Sequence, residues 1–182
     1  MTSLSQKWII SAAVCLAALS GSACSGVIPG KYVKQAEPGV TLTALTAKPE
    51  QYRGKTVILG GVILEAKEQD GRMWLLMRNR PVDADYEPHR DMTLRPSESG
   101  HYWVILDPRN LPATYRKWAR VTVVGRVSDQ RPIRHADTSG TEPVLAGLYL
   151  HGWGAGGGGG EGWESRMDAN YIQSNPLGEL RQ

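Results

Sequence analysis

"KTVILGGVIL", residues 55–64, decides the fold. Valines, isoleucines and leucines mark a strand, yet two glycines, Gly60 and Gly61, stand in its middle. Glycine inside a strand pattern predicts a bulge or a sharp bend. A strand that curls into a small barrel needs such a bend. "EAKEQDGR" follows, and its Asp70-Gly71 pair is a hairpin-turn signal. It leads into a second strand, "RMWLLMR", residues 72–78. Further strands are expected at 101–107 ("HYWVILD"), 120–127 ("RVTVVGRV") and 143–153 ("PVLAGLYLHGW"). In the fourth, Val121, Val123, Gly125 and Val127 alternate onto one face.

The connections complete the picture. Leu42, Leu45, Pro49 and Tyr52 line a short helix or turn ending at Gly54. Asn110 is placed to cap a short helix over Leu111, Tyr115 and Trp118. Residues 79–100 form a long polar excursion with three prolines, the kind of loop that is usually functional. The expectation is a mainly β fold: a small five-stranded OB-like barrel with short helices. An open antiparallel sheet is the alternative, and closure would remove its two exposed edges.

The chain has 182 residues, 41% of them hydrophobic, enough for one domain with tails. It lacks Phe, so Trp and Tyr supply the aromatic packing. The formal charge of +3 comes from interspersed acids and bases, not the concentrated basic stripe of a nucleic-acid binder. Residues 1–23 read as a signal peptide: Lys7, an apolar run from Trp8 to Leu19 broken by Ser11, then small residues to Ala23. That run, as a helix, covers roughly 18 Å against about 30 Å of hydrocarbon, too little to span.

Cys15 would leave with the signal, so Cys24 would be the mature chain's one cysteine and no internal disulfide could form. Residues 24–40 hold two Pro-Gly turns and read as a tether carrying a lipidated N-terminus. Residues 41–153 form the barrel domain. Residues 154–182 open with a glycine run that has no side chains to bury, and are expected to be a disordered, flexible tail.

Gly21-Ser22-Ala23-Cys24 resembles a bacterial lipobox, with Gly21 where Leu is usual. The same small residues also suit ordinary signal cleavage. In lipoproteins, Ser25 after the cysteine implies sorting to the outer membrane. Between Cys24 and Trp153 the chain resembles the Slp family of outer-membrane lipoproteins. The likeness rests on Pro49, Tyr52, Gly54 and Lys55, then "VILGGVI", "RPVDAD", "RVTVVGRV" and "PVLAGLYLHGW", in that order. The chain departs from the family pattern at 128–142 and again in the glycine-rich tail. The resemblance implies a lipid-anchored, periplasm-facing envelope protein with a structural or interaction role linked to stress or starvation. It brings no catalytic residues.

The residues themselves point to no enzyme. His89, His101, His135 and His151 lack the spacing of a metal set. Asp83, Asp85, Glu87, His89 and Asp91 cluster in the polar excursion and read as a solvated loop. The glycine run 156–160 lacks the Lys-Ser/Thr of a phosphate-binding loop, and no cofactor motif is present. OB folds bind oligomers by stacking on aromatics, which makes Trp74, Tyr102 and Trp103 the candidate ligand-binding residues. Neighbours in a strand face opposite ways, so Tyr102 and Trp103 cannot line one groove. Two functions are therefore expected: an interaction protein joined to the membrane by its N-terminal lipid, or a periplasmic module for a glycan or peptide.

Overall fold

The computed structural model describes residues 26–90, 95, 98–136, 138–155 and 160–164. The expected signal peptide, Cys24 and residues 165–182 lie outside these. Six strands form one sheet: β1 (Thr56–Gln69), β2 (Arg72–Arg80), β3 (His101–Leu106), β4 (Arg120–Ser128), β5 (Val144–Trp153) and β6 (Gly160–Glu164). Their order is β3-β2-β1-β4-β5-β6, and a parallel pairing of β3 with β5 closes the first five into a barrel. This is the expected OB-like arrangement.

β1 is the strand on which closure turns. Its first half pairs with β4, from Thr56↔Arg126 to Gly61↔Val121. Its second half pairs with β2, from Gly60↔Arg80 to Gln69↔Arg72. Gly60 and Gly61 are the residues that pair with both neighbours. A Cβ on Gly60 would sit 2.5 Å from the Arg80 carbonyl oxygen and 2.7 Å from Val82 Cγ1. The bulge itself comes later, between Ile63 and Glu65, where Leu64 is skipped and turned toward solvent. The glycines thus permit close approach, and Leu64 takes up the register change. The β1–β2 hairpin turns on Asp70 (φ 53°) and Gly71 (φ 68°), the left-handed pair of a type I′ turn.

Alternation then fills the barrel. Val57, Leu59, Leu75, Met77, Val104 and Val123 point inward with Tyr102 and Leu150. α2 (Leu42–Ala47) adds Leu42 and Leu45 to this core. Thr41 caps that helix by accepting from the Ala44 N–H at 3.2 Å, worth about 1 kcal/mol. α3 (Pro49–Tyr52) follows and ends before Gly54, whose φ of 73° suits glycine.

Two connections differ from expectation. The helix capped by Asn110 is instead a pair of 3-10 turns, Pro108–Asn110 and Ala113–Lys117. Pro112 forces Leu111 into an extended backbone (ψ 121°) and breaks the run. The N-cap of the first turn is Asp107, which accepts from the Arg109 N–H at 3.0 Å. The segment read as a tether also folds: it packs on the barrel through Ile28 and, within α1 (Gly30–Gln35), through Tyr32. Residue 153 ends β5 as expected, and within the tail β6 lies along the β5 edge, from Tyr149↔Glu164 to Trp153↔Gly160. Glycine makes this possible. A Cβ on Gly160 would fall 1.9 Å from His151 Nε2, and one on Gly162 2.2 Å from the Tyr149 hydroxyl.

Gly60→Val is expected to cost about 2 kcal/mol or more, because backbone and two side chains stand where its Cβ must go. Gly30→Ala, with nothing within 4 Å of its new Cβ, is expected to match or exceed the parent. Urea denaturation of both variants checks the pair.

Candidate functional site

The three aromatic residues expected to bind a ligand are all buried. Tyr102 points into the barrel and is fully enclosed. Its hydroxyl has no hydrogen-bond partner, and burial pushes its pKa far above the ordinary phenol range. Trp103, its neighbour in β3, points outward as alternation requires. There it meets Trp74 edge to face at 6.0 Å, with Leu76, Ile105, Val144 and Ala146 around them. Trp74 and Trp103 share a face, as an OB ligand platform would require. That platform is covered by the chain's own β4–β5 connection.

The cover, residues 129–143, is fixed at several points. Ile133 packs on the Trp74–Trp103 cluster, and the His135 ring stands edge-on to Trp103 at 6.4 Å. His135 Nε2 lies 2.6 Å from Glu65 Oε2, and Arg72 donates to Gln130 Oε1 at 3.0 Å. Trp74 Nε1 and Trp103 Nε1 are left without acceptors beneath it. Sequence could not show this. The covering loop is polar and proline-containing, and Ile133 and His135 are the residues it lays against the aromatics.

A second cover crosses β1 and β4. It consists of residues 81–90, the first half of the polar excursion. Asp83 Oδ1 accepts from the Asp85 and Glu87 N–H groups, both at 2.9 Å, shaping a tight turn. Arg120, almost wholly buried on β4, donates to Glu87 Oε1 at 2.8 Å and to the Pro88 carbonyl at 2.6 Å. The Arg120 guanidinium beside Glu87 holds its carboxyl below the usual range. Thr122 Oγ1 donates to the Tyr86 carbonyl at 2.6 Å and accepts from Trp153 Nε1 at 2.9 Å. Asp83 and Glu87 are therefore engaged in shaping and pinning this loop; Asp91 lies outside the described residues. Among the described residues, no group of three or more His, Cys, Asp or Glu side chains is placed to hold a metal.

Two of the surface clefts are the largest of those described. One, of about 520 Å³, runs between α2 and residues 139–143 and is rich in hydroxyls from Thr43, Thr46, Ser99, Ser139 and Thr141. The other, of about 470 Å³, lies where Ile58 and Gly60 meet Asn79 and Arg80. Asn79 is occupied in donating to the Glu98 carbonyl at 2.6 Å.

His151 is a histidine enclosed by the fold. It sits under β6 with its ring 4.6 Å from that of Trp153, and its Nε2 has no partner. Burial holds its pKa below the ordinary value of 6.5. The unfolded chain therefore takes up a proton first as pH falls, and stability declines from about that value downward. Chemical denaturation across pH 5–7.5 is expected to show this slope, and His151→Gln to flatten it. Tyr102→Phe, which removes an unpartnered buried hydroxyl, is expected to leave stability unchanged or raise it by up to about 1 kcal/mol.

No curated protein matches the chain significantly. The family model described as "Outer membrane lipoprotein Slp family" matches residues 22–156, from just before Cys24 to just beyond β5. The match spans the whole closed barrel, and the chain belongs to the Slp family of outer membrane lipoproteins.

Proposed function

We propose that Cys24 carries the lipid, and that the barrel is a periplasm-facing interaction protein of the envelope, with a role in stress or starvation. The observation that carries the interaction reading is the covered Trp74–Trp103 face. The surface on which an OB fold stacks its ligands is used here to bind the chain's own β4–β5 connection. The protein then offers its partners an outer surface made of two covers, residues 81–90 and residues 129–143. No step of chemistry is assigned to it.

The anchor follows from the sequence around Cys24. Small residues precede it, and it is the mature chain's one cysteine. A single acyl chain binds a membrane only marginally, at about 0.8 kcal/mol per buried CH₂, and a stable anchor takes more than one. The family match beginning at residue 22 supports the same position.

A second reading, a module for a glycan or peptide, draws on the unsatisfied Trp74 and Trp103 indole N–H groups and the hydroxyl-rich cleft beside α2. A ligand that displaced residues 129–143 would meet two donors and two aromatic faces. Crosslinking in intact envelopes separates the readings: captured envelope protein supports the first, captured glycan the second.

Metabolic labelling with a fatty-acid analogue tests the anchor. The parent is expected to take up label and fractionate with outer membrane. Cys24→Ser is expected to lose both. An unlabelled parent released by osmotic shock would refute acylation at Cys24.

A further inference from the structure

The sequence reads residues 24–40 as a tether. The fold removes almost all of that slack. The Tyr149 hydroxyl donates to the Val27 carbonyl at 3.1 Å, and Ile28 is only 2% exposed in a cluster with Tyr32, Ile58, Val124 and Tyr149. Ala36 then bridges to Thr56, where the Glu37 N–H donates to the Thr56 carbonyl at 2.9 Å. From Val27 to the start of the barrel, the segment is fastened down.

Only three residue steps separate Cys24 from Val27. At about 3.3–3.6 Å per residue, full extension gives a reach of about 11 Å. That is comparable to the width of one helix with its side chains, about 10–12 Å. An anchor this short cannot let a barrel tumble; it selects which side faces the lipid.

We propose that the face built by residues 26–28 and α1 lies against the phospholipid leaflet that holds the acyl chains. This rests on acylation of Cys24. The helix is suited to the position. Lys31, Lys34 and Gln35, spaced i, i+3 and i+4, share its exposed side, while Tyr32 is turned inward. Its first turn contains no acidic residue. Lys31 contacts Glu164 of β6, which also accepts from the Tyr32 hydroxyl at 2.5 Å, so that carboxylate is neutralised within the face. Lys34 makes no ion pair among the described residues and is presented to headgroup phosphates. The Trp74–Trp103 face with its 129–143 cover lies on a different side of the barrel, over the β2, β3 and early β5 strands. It is thereby directed away from the lipid, toward partners.

The experiment uses the mature chain, residues 24–182, coupled through the Cys24 thiol to a maleimide phospholipid. The vesicles contain phosphatidylethanolamine and phosphatidylglycerol with a headgroup-located quencher. A fluorescent amino acid replaces either Lys34 or Arg131, both exposed. Quenching at position 34 is expected to exceed that at position 131 by at least about twofold. A Gly-Ser insert of about 12 residues after Ser25 adds roughly 20 Å of flexible reach and should bring the two toward equality. Equal quenching without the insert would overturn the proposal. The lipid is attached chemically, so this outcome is independent of whether cells acylate Cys24; metabolic labelling decides that separately.

Discussion

Three residue pairs, Trp103 with Val144, Val104 with Leu145 and Ile105 with Ala146, turn a sheet into a barrel. Without this parallel contact, β3 and β5 would both expose edges, and the inward residues of β1 to β5 would lack a second wall. Closure has a geometric requirement on the other side of the ring. β1 must leave β4 and join β2 within its own length, and Gly60 and Gly61 are where it pairs with both. The parallel closure and the glycine crossing are two expressions of one constraint, that five short strands enclose a filled core.

A small barrel also has an outside, and here much of it is apolar. Trp74, Trp103 and Ile105 point outward on one side, Ile58, Val124 and Tyr149 on another. Exposed apolar patches of that kind invite association. The chain covers each with its own irregular segments, fastened by a few directed bonds: Arg120 to Glu87 and Pro88, Thr122 to Tyr86, Tyr149 to Val27. Buried donors such as Arg120 are stable only because carbonyl and carboxylate acceptors meet them. The covers are thus part of the fold, and they define the surface available to partners.

This explains which features were legible in the sequence. Strands show themselves through alternation, so Val121, Val123 and Val127 could be assigned to the interior without coordinates. Asp70-Gly71 named its turn because few residues tolerate two successive positive φ angles. The covers had no such signature. Arg120 and Thr122 occupy positions that alternation assigns to solvent, and their partners lie more than 30 residues away in a polar loop. Ile28 and Tyr32 stand among Pro-Gly turns that lower any helical expectation. Trp74 and Trp103 read, with Tyr102, as strand aromatics that could bind a ligand, but a side chain that points outward from a strand is not exposed when a loop returns over it.

β6 extends the same logic to the edge. The family match ends at residue 156, and β6 begins at Gly160. The cover on the C-terminal half of β5 therefore comes from sequence outside the matched domain. Its glycines are not only linker. Gly160 and Gly162 fall opposite Trp153 and His151, where the bulk of His151 and Tyr149 leaves no room for a Cβ, while Trp163, next after Gly162, packs against the barrel core. A Gly-x-Gly-Trp sequence suits a strand that lies under two large side chains on one face and anchors by an aromatic on the other. What composition alone marks as flexible tail contains the complement of the β5 edge, and its last described residue, Glu164, ties that edge to Lys31 and Tyr32 of the N-terminal helix.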